Sequence, residues 1–221
     1  MLPKVLIHNA VSVDGRIDWF SPDVGPFYEL VERWKEDATL AGSDTILAAP
    51  EYNPDPDDEP PASRQRQIGD TRPLLVIPDS QGRVRNWSQL LDMPFWRDGI
   101  ALCSQSTPVE YREYLRARDI EFIVAGEDRV DLRQALEQLN IWHGVEVVRV
   151  DSGGTLNGAL LRAGLVSEIS LLVHPSLVGG MTSRSFFRAP DLESSDDVME
   201  LELTGAQTLA RDIVWLRYKV L

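Results

Sequence analysis

The segment with the clearest chemical content is Asp151-Ser152-Gly153-Gly154-Thr155. It follows a hydrophobic run, VEVVRV, and leads directly into TLNGALLRAG, whose apolar spacing is helical. Such a turn puts a helix N-terminus at the carboxyl end of a strand, where open α/β sheets bind ligands. Free N–H groups and the positive end of the helix dipole suit a phosphate there. Two glycines would let the backbone approach a pyrophosphate with no Cβ in the way, and Ser152 or Thr155 adds a hydroxyl donor. The same glycines also fit a tight turn that needs positive φ, and spacing alone leaves both readings open. The run is not the G-x-G-x-x-G fingerprint. It is not a trypsin-like nucleophile either: those folds are all-β, this serine opens a helix, and no histidine–aspartate pair stands in a suitable context. His8, His143 and His174 lie in three separate segments without an H-x-x-x-H pair, and Cys103 is the single cysteine, so no metal site is expected.

The elements that would position this turn can be read from periodicity. Strands are expected over 4–11, 73–77, 99–103, 120–125, 144–151 and 167–177, and helices over 27–38, from 108, over 130–140 and over 154–164. Pro108 suits a first helical turn and Gly164 a C-terminal cap. The tail, VMELELTGAQTLARDIVWLRYKVL, reads as two strands in an antiparallel pair. Alternation of strand and helix from 73 to 177 implies an α/β fold, with a largely parallel central sheet, helices on both faces and antiparallel strands at one edge. Residues 48–67 hold five prolines and a block of acids, which reads as an exposed loop, an insertion or lid within a single domain over 1–221.

Composition limits the partners. Of 221 residues, 43% are apolar and 26% charged, ordinary values for a globular chain. A net charge of −13 argues against nucleic acid and anionic lipid as partners. It leaves room for an anionic small molecule, because Lys4, Lys35 and Lys219 are the only lysines and the other basic residues are arginines, which suit phosphate. No apolar run reaches the ~20 residues of a membrane span, and the N-terminus turns polar too early for a signal peptide, so a cytoplasmic protein is expected.

Four motifs, in order along nearly the whole chain, carry a resemblance. IHNAVSVDGRI is similar to the opening of the riboflavin-biosynthesis pyrimidine reductases, and AGSDTIL (41–47) to their G-x-x-T-V-L. LLVIPDSQGRV (74–84) resembles their D-S-x-x-R-V segment, and residues 151–180 resemble their E-G-G-x-T-L segment with its later G-L-V-D-E and G-G. The resemblance implies a dihydrofolate-reductase-like fold, NADPH as cofactor and a homodimer. It also implies a small phosphorylated substrate, a ribosylaminopyrimidine 5′-phosphate, whose opened ribose is reduced at the anomeric carbon to the ribitylamino product. Ala10, Thr45, Ser80, Ser152, Gly153, Gly154 and Thr155 match positions that contact NADP. Arg33 and Asp151 match substrate contacts. Asp151 and Asp14 are the acids it assigns to catalysis, Asp14 shaping the turn after the first strand with Gly15, and Asp151 or a bound water supplying the proton. An arginine suits a phosphate and a carboxylate suits the donor edge of an aminopyrimidine.

The chain departs from that pattern in its substrate half. The acid is Asp151 rather than Glu, Ser152 replaces a glycine, and Ala48-Ala49-Pro50 stands where the family has x-D-D-P and then an arginine. Two alternatives therefore stand beside the riboflavin-pathway reading: NADPH reduction of another small heterocycle or carbonyl, and a non-catalytic ligand-binding dimer. With one cysteine and no spare length for a zinc deaminase, a stand-alone reductase is expected.

Overall fold

The described residues form two compact units: Met1–Pro3 with Glu36–Val148, and Lys4–Lys35 with Arg149–Leu221. The structure, a computed structural model, describes residues 1–49, 69–181 and 184–221, so most of the 48–67 loop lies outside it. In chain order the elements are β1 (Lys4–Ser12), α1 (Val24–Val31), β2 (Ala38–Leu40), α2 (Ser43–Leu47), β3 (Leu74–Pro78), α3 (Trp87–Asp92), β4 (Asp98–Cys103) and α4 (Val109–Ala117). They continue with β5 (Glu121–Val124), α5 (Leu132–His143), β6 (Val147–Val150), α6 (Gly154–Arg162), β7 (Glu168–His174), β8 (Leu201–Thr208) and β9 (Val214–Val220).

In the first unit β5, β4, β3 and β2 lie side by side and all parallel. LLVI and GIALC are continuous apolar runs because parallel strands are covered on both faces. Leu75, Ile77, Ala101 and Cys103 pack with Trp87, Leu90, Tyr111 and Leu115 in one cluster. The turn after β3 is built around Asp79, which is 1% exposed and accepts the Val84 N–H at 2.8 Å. Gly82 closes this turn at φ +65°, where an added Cβ would sit 2.6 Å from the Tyr111 ring. Glycine is thus required twice over, by conformation and by space.

In the second unit β1 and β7 are parallel, β9 runs antiparallel to β7, and β8 runs antiparallel to β9. The expected class, mostly parallel strands with a C-terminal antiparallel pair, is what the structure shows. β6 spans the division between the units. Phe27 of α1 packs with Leu172, Ile213 and Trp215. The helix expected over 27–38 is shorter and earlier. Asp23 caps α1 by accepting the Gly25 N–H at 3.3 Å, Lys35 turns the chain at φ +48°, and Ala38–Leu40 is buried strand. Gly164, at φ +62°, ends the last turn after α6 as expected. Among the described residues no helix is long and apolar enough to cross a membrane.

A buried polar chain ties α1 to the sheet of this unit. Trp215 Nε1 donates to Ser170 Oγ at 2.8 Å, and Ser170 Oγ lies 2.9 Å from His8 Nδ1. His8 Nε2 lies 3.1 Å from the Phe27 carbonyl oxygen. The partners fix the tautomer: a neutral imidazole donates from Nε2 to Phe27 and accepts at Nδ1 from Ser170. Burial, reinforced by the Arg149 charge, holds the imidazole down at about 4. The unfolded chain therefore binds a proton that the folded chain refuses between pH ~6.5 and ~4. Stability is full above that window and falls through it on acidification, by on the order of 3 kcal/mol. Urea unfolding at pH 7, 5.5 and 4.5 reads this loss, and His8→Gln flattens it. An equal slope in the variant would remove His8 as the cause.

Candidate active site

The sequence-read residues fall on both units, and each set is built by its own elements. On the second unit, Asp151 and the turn to α6 follow β6. Asn157, fully buried, donates from Nδ2 to Asn9 Oδ1 at 2.8 Å and to the Phe186 carbonyl at 2.7 Å. Asn9 Nδ2 in turn donates to the Ser152 carbonyl at 3.0 Å. This knot fixes the backbone of the turn from below. The N-cap residue is Gly153, no side chain caps α6, and Thr155 is exposed in the first turn. A helix start directly after a strand, with a glycine at its N-cap, fits the phosphate-binding chemistry of such ends.

Positive φ, one of the two reasons read in the sequence, does not account for the glycines of this turn. Gly153 has φ −82°, and neither it nor Gly154 adopts positive φ. A Cβ on Gly154 would lie 2.2 Å from the Ser185 carbonyl oxygen, and one on Gly158 would lie 1.9 Å from that of Arg188. Spaced four apart, they present one bare helix face against which residues 185–188 dock, with the Arg188 N–H donating to the Gly154 carbonyl at 3.0 Å. Gly153 has more room, the nearest neighbour to a Cβ there being Ile17 Cδ1 at 3.5 Å.

Asp151 is half-buried, and its Oδ2 is bound by Arg149 Nη1 at 2.9 Å. Asp14 is engaged in structure. It accepts from Ser12 Oγ at 2.6 Å and from the backbone N–H groups of Val178 and Gly179 at 3.1 and 2.7 Å. The Ser12 hydroxyl first, and then those two amides, hold its carboxyl well below the usual carboxylate range. Asp14 thus anchors the loop after β7 and has no proton to give at neutral pH. Arg33, exposed just past α1, lays its guanidinium 5.0 Å from the Trp215 ring centre. Ala10 packs its methyl on the Phe27 cluster. Of the aromatic residues between 19 and 34, Phe27 is core, Phe20 packs on His174 and Trp34 donates to Glu168 at 3.1 Å. Trp19 and Tyr28 remain 79% and 58% exposed.

On the first unit, Thr45 is exposed in α2 and Ser80 lies within the turn after β3. Ser80 Oγ accepts the Val130 N–H at 3.0 Å, and its carbonyl accepts from Thr107 Oγ1 at 3.0 Å. Ser104 and Thr107, at the carboxyl end of β4, are buried and lie 3.2 Å apart at their hydroxyls, and Ser106 Oγ donates to the Asp128 carbonyl at 2.9 Å, so this cluster braces the Ser80 turn. Sequence reading passed over them, although Ser-Gln-Ser-Thr directly after a buried strand was the available signal. Arg83 reaches Ser43 Oγ at 3.1 Å and Asp44 Oδ1 at 2.6 Å. A cleft of about 360 Å³, lined by Asp70, Arg97, Asp98, Glu121 and His143, lies at the opposite, amino end of β3, β4 and β5. Its Asp70 is paired with Arg72 at 2.6 Å, and Glu121 Oε1 lies 3.2 Å from His143 Nε2. The carboxyl ends are the ligand-binding ends of such strands, so this cleft is not the candidate site.

A mostly parallel α/β sheet with a C-terminal antiparallel pair, and an acid and a glycine-started helix directly after β6, define an α/β protein whose candidate site lies at the carboxyl ends of its strands. The chain belongs to the RibD C-terminal domain family, whose model matches residues 3–215. It is 31% identical over 225 residues to a 2,5-diamino-6-ribosylamino-4(3H)-pyrimidinone 5′-phosphate reductase of Methanothermobacter thermautotrophicus, covering 97% of each chain. A protein of the same description from Archaeoglobus fulgidus is 30% identical over 190 residues, covering 83% of this chain and 85% of that one. In fold it is similar to a pyrimidine reductase-like protein from Corynebacterium diphtheriae, with TM-score 0.71, 20% identity and coverage of 99% and 92%. It is also similar to Acinetobacter baumannii RibD, with TM-score 0.70 and 21% identity, all of this chain spanning 58% of that one.

Proposed function

We propose that this protein is the NADPH-dependent reductase that converts 2,5-diamino-6-ribosylamino-4(3H)-pyrimidinone 5′-phosphate to its ribitylamino product in riboflavin biosynthesis, in the cytoplasm. The observation that carries the reading is the stretch after β6. A part-exposed carboxylate, held at one oxygen by Arg149, is followed at once by a helix start whose N-cap residue is a glycine. The first accepts hydrogen bonds from an aminopyrimidine, and the second receives a phosphate.

The residues present fit the cofactor. Ser152, Gly153 and Thr155 would hold its pyrophosphate through amides and hydroxyl. On the first unit, the Ser80 hydroxyl is a group suited to a ribose or phosphate oxygen, and Arg83 is a cation suited to a 2′-phosphate. When bound, NADPH supplies the hydride. The chain's own part is to bind, orient and exclude water, since hydride transfer asks little of side chains. Asp151 accepts from the heterocycle and Arg33 attracts the substrate phosphate. Water supplies the proton that the opened ribosylamine takes up.

Titration with NADPH and NADH, followed by tryptophan fluorescence, tests the cofactor half. NADPH is expected to saturate and to bind more tightly, and Arg83→Ala to cost NADPH about tenfold while leaving NADH unchanged. Equal affinity for the two in the wild type would exclude a 2′-phosphate site.

A homodimer completes the reading. On β8 and β9 the apolar residues Leu201 and Leu203 are exposed, with Leu216, Tyr218 and Val220 half-buried beside them. Such a face suits a second copy of the chain.

A further inference from the structure

Asp151 does not stand alone. Arg149, two residues earlier on β6, projects on the same face of the strand, as the two-residue period requires. Its side chain is 6% exposed, whereas that of Asp151 is 38% exposed, and Nη1 meets Oδ2 at 2.9 Å. At 6% exposure the guanidinium is out of bulk water, and its charge is felt by His8 of β1 and by Tyr28 of α1. Burying a guanidinium carries a heavy desolvation cost before pairing, and a buried ion pair returns little net stability. A planar donor fork held from below does restrict a short carboxylate to one orientation. With Oδ2 taken, Oδ1 is the oxygen that a ligand reaches.

We propose that Arg149 is a positioning residue that aims Asp151 Oδ1 at the donor edge of the substrate's heterocycle. Asp151 thereby acts as a hydrogen-bond acceptor and not as a proton donor. The assignment rests on the reductase reading above and deepens it. It also bears on the shorter acid. An aspartate reaches less far than a glutamate and has fewer rotamers, so a fixed partner behind it sets where its other oxygen points.

The test is a double-mutant cycle in steady-state kinetics, with the ribosylaminopyrimidinone phosphate and NADPH, on wild type, Arg149→Met, Arg149→Lys, Asp151→Asn and the Arg149→Met/Asp151→Asn double variant. Arg149→Met is expected to raise KM for the pyrimidine about 10- to 100-fold, with KM for NADPH unchanged and kcat little altered. Arg149→Lys should recover part of this. In the Asp151→Asn background, removing Arg149 should add nothing, because the carboxylate it aims is already gone. Additive losses, or a parallel rise in both KM values, would overturn the assignment, since general distortion gives those results. Should Arg149→Met fail to fold, Arg149→Lys takes its place in the cycle, and additivity there counts against the proposal in the same way. A wild type that turns over the substrate with additive variants removes only the role of Arg149. A wild type that neither binds nor reduces it removes the reductase reading as well.

Discussion

Gly158→Ala is expected to destabilise the protein by about 2 kcal/mol net and to loosen the α6 turn. The added methyl would lie 1.9 Å from the Arg188 carbonyl oxygen and 2.7 Å from its carbon, both backbone atoms that no rotamer change can move. Overpacking of this kind costs roughly 3 kcal/mol, while alanine regains about 1 kcal/mol of helix propensity over glycine. The steric effect wins, so the sign is opposite to that of an ordinary helix glycine. A midpoint lower by about 4–8 °C is expected. Weaker NADPH binding should accompany it, because the same segment bonds to Gly154 and, through Phe186, to Asn157. Gly144, at φ +66° with open space around an added Cβ, is the contrast: alanine there meets no atom within 4 Å and is strained only by conformation. A Gly158→Ala variant as stable as wild type would mean that residues 185–188 do not dock on α6.

Asn157→Asp is expected to cost more, about 3–5 kcal/mol near neutral pH. The two side chains have the same shape, so packing is unchanged and the effect is electrostatic. Nδ2 now faces Asn9 Oδ1 at 2.8 Å and the Phe186 carbonyl at 2.7 Å, and a carboxylate oxygen in its place meets acceptors only. Burial and these neighbours would raise the carboxyl's pKa. Stability would then recover as pH falls and the acid gains a proton to donate, opposite in slope to the His8 effect. Chemical denaturation at pH 7 and pH 5 separates the two slopes. A variant insensitive to pH over that range would show that the amide does not face those acceptors.

Much of this architecture is legible in the sequence, and the parts that are not have physical reasons. The strands LLVI, GIALC and EISLLVH announce themselves as unbroken apolar runs, and Gly164 announces the end of α6. Ala38–Leu40 and Trp87–Asp92 are too short for periodicity to show, and Ala38 sat within a helical pattern begun by Phe27 and Leu30. The candidate site is legible in its motifs but not in its causes. Asp151 and the turn after it stand out as residues, yet the packing of Gly154 and Gly158 depends on residues 185–188, about thirty positions further along the chain. Arg149 reads as one more strand residue until its burial and its distance to Asp151 are known. Asp14 reads as a candidate acid until three donors are found on it.

The measurement that bears most directly on the account is substrate-dependent oxidation of NADPH. The purified protein is mixed with 2,5-diamino-6-ribosylamino-4(3H)-pyrimidinone 5′-phosphate and NADPH, absorbance of the reduced nicotinamide is followed, and the product is weighed by mass spectrometry. The account predicts oxidation that needs the pyrimidine, a product heavier by two hydrogens, and a slower rate with NADH. NADPH that binds but stays reduced with this substrate, or no binding of either nucleotide, would contradict it.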